Sequence, residues 1–387
     1  MSEEKKNDWG NDTLSVHGGL DYSGETGAVI PPIYMTSTFE AGNADGFDYT
    51  RSGNPNFRNL ERVISDLEGA KRGTVFASGV SAITAIVSTL SSGAKIVAEE
   101  NIYGCTYRLF EQVFAKFGVK VEYFDLTVQN NIDLISEIQP ELVWIESPTN
   151  PLLKIIDIEA VAKATHVAGA ALVVDNTFAS SYLQRPLELG ADLSLLSTTK
   201  YTNGHSDTLG GMVCSVDDEW GDKMVFAQKA LGLQPSPFEC WLIQRGLKTQ
   251  GLRMMKHSSN ALAVASFFEQ EFPDATVRYP FLESHPQYQI AKNQMRGGSG
   301  VVTIDLGLTL EETQNFLKRL KLFAMAESLG GIESLSCHPA SMTHASVPKE
   351  VRESVGITDS LFRLSVGIEN QEDLIEDIKS SLSDVVS

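Results

Sequence analysis

The 387-residue sequence predicts an α/β fold, with a large domain on a mostly parallel sheet followed by a smaller C-terminal α/β domain. Three observations carry this. Between about residues 60 and 250, short apolar stretches of strand length alternate with stretches of helical periodicity. That alternation is the pattern of a parallel sheet covered on both faces. Beyond about residue 250 the character changes to one long helical stretch and a few scattered short strands. No apolar run approaches the roughly 18 residues that a membrane-spanning helix needs.

The elements follow in order. Residues 1–60 are punctuated by Gly and Pro (HGG at His17, TGAVIPPIY, DYTRSGNPN) and read as an extended arm. Asn54-Pro55 is a good cap and first turn, after which Leu60, Val63, Ile64 and Leu67 hold helical spacing. Ile83, Ile86, Val87 and Leu90 form the next helical stripe, ahead of a strand starting at Lys95. A third stripe (Leu109, Phe110, Val113, Phe114, Phe117) precedes the strand VKVEYF. The strands LVWIE and ALVVD flank a helical segment from Asp157 to Val167, and DLSLL and GMVCSV bracket Lys200. These give a first domain over residues 61–250. A second domain over 251–387 holds the helical MMKHSSNALAVASFFEQ, the strand VVTIDL, helices near Phe316 and Leu374, and strands near Phe323 and Leu361.

Fifty acidic and 31 basic residues give a net charge of −19, which repels phosphate backbones and anionic lipids and argues against nucleic-acid or membrane partners. An anionic substrate then needs local arginines. The N-terminal MSEEKKNDWGND has no apolar core of a secretory signal, so a cytoplasmic protein is expected. Cys105, Cys214, Cys240 and Cys337 are widely spaced, which suits neither a disulfide framework nor a zinc site, and no metal is expected.

The chemistry concentrates between Asp175 and Asp207. One strand ends in VVDNTF and another in SLLSTTKYTNGHSD, and ligands of parallel sheets collect at the carboxyl ends of strands. A lysine is ordinarily a solvated surface charge. Lys200, however, follows an apolar strand and sits among Ser197, Thr198, Thr199 and Gly204. Desolvation depresses a lysine's pKa and makes it a nucleophile toward an aldehyde. A carboxylate such as Asp175 can keep a pyridine nitrogen protonated, turning the ring into an electron sink. Together they are what pyridoxal 5'-phosphate (PLP) chemistry needs. FASGVSAI, a strand-to-helix junction at Ser78-Gly79-Val80-Ser81, offers free N–H groups for a phosphate, although a tight turn gives the same pattern. No G-x-G-x-x-G follows a strand, which argues against a dinucleotide fold. Arg363, inside the apolar LFRLSVG, is costly to bury unless it has a partner.

The ordered motifs YTRSGNP, ASGVSA, YGCTYRLF, ESPTNP, DNTFAS, TTKYTNGHSD, AESLGGIES and MTHASVP run from one end of the chain to the other. In them the sequence resembles the Cys/Met-metabolism PLP enzymes, which include cystathionine γ-lyases, γ-synthases and β-lyases and methionine γ-lyases. The resemblance implies PLP-dependent transferase fold type I, like aspartate aminotransferase, and a homotetramer built as a dimer of dimers. It implies that Lys200 forms the Schiff base and shuttles protons, that Asp175 pairs with the pyridinium, and that Tyr103 stacks on the ring and serves as an acid–base group. Gly79, Val80, Ser197 and Thr199 would hold the phosphate, joined by Tyr49 and Arg51 from a neighbouring subunit. Arg363, with Asn150 and Ser328, would bind the substrate carboxylate, and Glu327 or Asp48 a distal ammonium.

Within the family, Glu327 fits γ-lyases and γ-synthases, Asp48 leans toward synthases, and Cys105 resembles methionine γ-lyases. The expected reaction is γ-elimination of cystathionine to cysteine, 2-oxobutyrate and ammonia. The alternatives are γ-replacement of an O-acylhomoserine by cysteine, methionine γ-elimination, or a non-catalytic paralogue.

Overall fold

The computed structural model of the protein describes residues 9–19, 27–343, 345 and 349–383. Residues 1–8 of the N-terminal reading, and 344 and 346–348 of the MTHASVP motif, lie outside them.

Strand β4 (Leu142–Glu146) shows why the first sheet forms. Its run LVWIE is apolar at four successive positions, and all four side chains are buried. Val143 and Ile145 enter one apolar cluster, while Leu142 and Trp144 enter another on the opposite face. A strand that must bury both faces cannot alternate with polar residues. Burial of each such side chain contributes roughly 1.5–3 kcal/mol relative to exposure.

The other strands of this sheet are β1 (Arg72–Phe76), β2 (Lys95–Glu99), β3 (Lys120–Phe124), β5 (Ala171–Asp175), β6 (Leu193–Leu196) and β7 (Gly211–Ser215). The seven lie in the order β1-β7-β6-β5-β4-β2-β3. Pairing from β3 through β6 is parallel, whereas β7 runs antiparallel to both β6 and β1. The alternation of strands and helices does not extend to β7. No helix crosses back between Leu196 and Gly211, so β7 returns directly beside β6.

A second sheet holds five strands, β8 (Thr276–Arg278), β9 (Val301–Asp305), β10 (Ala324–Met325), β11 (Leu335–Cys337) and β12 (Leu361–Ser365), in the order β10-β11-β12-β9-β8.

The arm departs from expectation in one place. Helix α1 (Asn11–His17) lies inside it, with Leu14 buried in the same apolar cluster as Val63 and Leu67 of α2 (Pro55–Glu68). One buried leucine on seven residues is too short a periodic signal to read. Asn54 caps α2 as expected, its side chain accepting from Asn56 N–H at 2.9 Å. The stripe from Leu109 to Phe117 is not one α-helix but a π-helical turn followed by a 3-10 turn. Helix α3 (Gly79–Ser88) follows β1, and the long α4 (Gln250–Glu271) connects the two sheets.

Helix α2 also buries an acid. Glu68 is fully enclosed, with Asn176 donating to it at 3.4 Å, and burial raises its carboxyl to about 7 despite hydrogen bonds from Ser194 and Asn176. A carboxyl raised above its unfolded value contributes stability that is complete below the unfolded pKa and is lost as pH rises through the folded one. The window here is pH 4.5 to about 7. Glu68→Gln should therefore change Tm little at pH 5 and raise it by about 3–10 °C at pH 8, at about 2–4 °C per kcal/mol. Thermal unfolding of the intact protein at both pH values checks this, and equal shifts at the two would overturn it.

Candidate active site

Parallel strands β4, β5 and β6 end at the same edge of the sheet, and a cleft of about 300 Å³ opens there. Asp175 closes β5. Lys200 sits four residues past β6, on the loop that returns as β7. That loop is held from several sides. Thr177 Oγ1 accepts from Ser197 N–H at 2.9 Å, and Gly204 N–H donates to Lys200 O at 2.8 Å. Beneath the loop, the buried Arg253 of α4 donates to the carbonyls of Tyr201 at 2.8 Å, Thr202 at 3.3 Å and Gly246 at 2.9 Å. Gly204 has φ +75°, and a β-carbon there would stand 1.9 Å from Arg253 Nη1, so only glycine fits.

The second sheet supplies the opposing wall. Arg363 lies in the middle of β12 at 3% exposure, paired in register with Thr303 of β9. It donates from Nη1 to Asn150 Oδ1 at 2.7 Å and from Nη2 to Ser328 O at 2.8 Å, while Nε makes no hydrogen bond within the protein. Among the described residues no carboxylate pairs with it. A buried guanidinium with an idle N–H and no ion pair is costly, and a carboxylate is the group its fork geometry matches. Ser328 also accepts, through Oγ, from Lys200 Nζ at 2.7 Å.

The electrostatics follow from burial. Lys200 is lowered to about 8, first by desolvation and then by Arg363, with Glu327 opposing. Burial raises Asp175 to about 6, against hydrogen bonds from Thr177, whose N–H reaches Oδ1 at 3.0 Å. The Tyr103 phenol is pushed up by burial and then by the Cys105 thiol and the carboxyls of Glu146 and Glu327, so it keeps its proton.

Most of the residues expected from sequence meet here. Lys200, Asp175, Tyr103, Gly79, Val80, Ser197, Thr199, Asn150, Ser328, Glu327 and Arg363 all line the cleft. Gly79 and Val80 are the first two residues of α3, where N–H groups have no intrahelical acceptor. A β-carbon at Gly79 would lie 2.9 Å from Ser197 Cβ, so the helix end and Ser197 are in close apposition. The Thr199 hydroxyl donates to Gly210 O at 3.3 Å and accepts from Gly210 N–H at 3.0 Å, so binding a phosphate would require its proton to turn away from that carbonyl. Tyr49, Arg51 and Asp48 do not line the cleft. All three are exposed on the arm, and Arg51 donates to Lys229 O at 3.1 Å. Sequence reasoning passed over Thr177, which bridges the ends of β5 and β6, and Glu146, the acid that ends β4. The strand-end rule that found Asp175 applies equally to Glu146.

A lysine amine, a buried carboxyl and a helix N-terminus with idle N–H groups lie around one cavity, and this set fits PLP. The Cys/Met metabolism PLP-dependent enzyme family matches residues 12–383. The chain belongs to this family. The cystathionine γ-lyase of Homo sapiens is 47% identical over 375 residues, 96% of this chain and 93% of its own. Among solved structures, the cystathionine γ-synthase from Xanthomonas oryzae pv. oryzae, in complex with aminoacrylate and cysteine, is 41% identical with a TM-score of 0.94. The match covers 97% of this chain and 98% of that one. The cystathionine γ-lyase from Lactobacillus plantarum, complexed with L-serine, is 37% identical with a TM-score of 0.93, over 97% and 99% of the two chains. This family member is thus a PLP-dependent enzyme of fold type I. None of its described helices is long and apolar enough to cross a membrane.

The lowered Lys200 has a direct consequence. Its neutral amine is the form that attacks an aldehyde, so capture of PLP by the apoprotein should rise with pH and level off just above about 8. An ordinary lysine would level off above about 10. Stopped-flow absorbance measures the rate, and peptide mapping after borohydride reduction should place the pyridoxyl group on Lys200. A label on another lysine would refute the assignment.

Proposed function

We propose that the protein is a cystathionine γ-lyase, which cleaves the Cγ–S bond of cystathionine and releases cysteine, 2-oxobutyrate and ammonia. The observation that carries this is the pairing, in one cleft, of the buried Arg363 with the exposed Glu327 at its edge. Cystathionine has two amino-acid head groups. Arg363 takes the carboxylate of the reacting one through its guanidinium fork, with Asn150 Oδ1 and Ser328 O fixing the fork's plane. Glu327 matches the ammonium of the other. The curated relatives carry the same activity in their names.

When bound, PLP supplies an aldehyde carbon for amines and a ring that accepts electrons from Cα. The protein's own groups do the rest. Asp175 holds a proton on the ring nitrogen, while the α3 N-terminus and Ser197 anchor the phosphate. Lys200 Nζ, near neutrality and held by Ser328 Oγ, takes the proton from Cα and works again at Cβ. Tyr103, with its raised phenol, keeps a proton available for the leaving sulfur. In this reading residues 61–250 form the cofactor domain and 251–387 the C-terminal domain. The 1–60 arm carries Tyr49 and Arg51 to a neighbouring subunit's phosphate, within a cytoplasmic homotetramer. Both residues are exposed and outside their own cleft, which suits that role. The γ-synthase reading remains specifically favoured by the Xanthomonas structure and by Asp48. Assays of cystathionine against O-acylhomoserine plus cysteine decide between the two.

Two experiments test the proposal. Glu327→Val should lower kcat/KM for cystathionine by about 10–100-fold, since a charge-assisted hydrogen bond contributes roughly 1.5–3 kcal/mol. Methionine, which lacks the second ammonium, should be unaffected or improve. Equal losses on both substrates, with PLP occupancy unchanged, would remove Glu327 from substrate choice. For the shared site, Arg51→Ala and Lys200→Ala proteins should each be nearly inactive, and mixing them should restore activity at the one hybrid site that holds both intact residues. No recovery after subunit exchange has been verified by mass spectrometry would count against a neighbour's contribution.

A further inference from the structure

Glu146 takes no part in the mechanism above, yet it lies in the cleft wall. It ends β4, is 5% exposed, and stands directly in register with Asp175 at the end of β5. Its Oε1 accepts from the backbone N–H of Tyr103 at 2.7 Å. Tyr103 is the N-cap of the short helix Gly104–Arg108, and its own side chain makes no capping hydrogen bond. Glu146 is therefore what ties the start of that helix, and the ring it carries, to the carboxyl edge of the sheet.

We propose that Glu146 is a positioning residue of the cofactor site, fixing the Tyr103 ring over the cleft through the Tyr103 backbone. This rests on the PLP site described above. Charge balance gives the form in which Glu146 does so. The titratable groups nearest it are Asp175 on β5, Glu99 on β2 and Tyr103. Among the described residues no cation forms an ion pair with either Glu146 or Asp175, and Lys154, 3.8 Å from Glu99, is engaged with Glu100 and Asp125. Two carboxylates at adjoining strand ends would then face the single positive charge of a protonated pyridine. Only one of them can ionise without leaving a buried charge unpaired. Each accepts one backbone N–H, Asp175 from Thr177 at 3.0 Å and Glu146 from Tyr103 at 2.7 Å, but the Thr177 side chain adds a second hydrogen bond at Asp175 alone, so Asp175 is the better solvated anion. Glu146 consequently keeps its proton, in line with the upward shift that burial and Asp175 impose on it. A carboxylic acid there still accepts from Tyr103 N–H and adds no second negative charge beside the ring.

The test uses apoprotein titrated with PLP, in wild type, Glu146→Gln and Glu146→Ala. Glutamine keeps a neutral acceptor for Tyr103 N–H, so its affinity for PLP should stay within about threefold of wild type. Alanine removes the acceptor and should weaken PLP binding about tenfold, equivalent to about 1.4 kcal/mol. A purely structural role would not predict a spectroscopic signature, whereas this one does. Infrared difference spectra of the loaded proteins at pH 7.5 should show a carboxylic-acid C=O band in wild type that is missing from Glu146→Gln. If glutamine binds PLP as weakly as alanine, or the band does not change, Glu146 is ionised and the inference falls. If both variants bind PLP like wild type, the positioning role falls, even if the variants are less stable. If wild-type protein takes no PLP on Lys200, the site assignment itself fails and takes this inference with it.

Discussion

A buried guanidinium that no carboxylate pairs with among the described residues constrains what surrounds it. Arg363 sits in the central part of the second sheet, where desolvation of a full charge costs several kcal/mol unless polar groups surround it. Its two protein acceptors come from opposite sides of the molecule. Asn150 follows β4 of the first sheet, and the Ser328 carbonyl lies between β10 and β11 of the second. The cation therefore stitches the two sheets together at the cleft, with its Nε left without a protein partner. Folding has thus placed a positive charge in the cleft wall with one N–H left unpaired, and in the proposed function a substrate carboxylate would complete it.

The same charge reaches into the first sheet's chemistry. Ser328 serves Arg363 through its carbonyl and Lys200 through its hydroxyl, so the guanidinium and the amine share one anchor. Its φ of +119° is unusual for a residue with a side chain, a conformation that the surrounding contacts must hold. Arg363 also presses the Lys200 amine toward its neutral form. Binding and reactivity are thus coupled through two adjacent groups.

Much of this was legible in the sequence, for reasons that can be named. β4, β5 and β6 announce themselves as apolar runs because both of their faces are buried, and the acid that ends β5 and the lysine just past β6 stand out against that background. Arg363 was visible for the same reason, as a charge inside LFRLS. Features set by tertiary contact were not visible. Helix α1 is held by one buried leucine against α2, and the break in the Leu109–Phe117 stripe leaves apolar spacing intact. The antiparallel return of β7 depends on the missing crossover after Lys200, and residue identity alone does not show it. Glu146 was legible by the strand-end rule but was passed over, because its partner is a backbone N–H distant in sequence.

That direct return of β7 has a mechanical outcome. Lys200 sits on a tether fastened at both ends to neighbouring strands, at Leu196 and Gly211, and braced underneath by Arg253. The tether is thus anchored at both ends and from below, unlike a crossover segment or a lid. In the proposed mechanism, rotation of the lysine's four-carbon stem about Cα would carry the proton from one substrate carbon to the next. The enzyme has a fixed shoulder and a pivoting arm. Its reach is set by side-chain length, which a shorter or differently branched residue at this position would not reproduce.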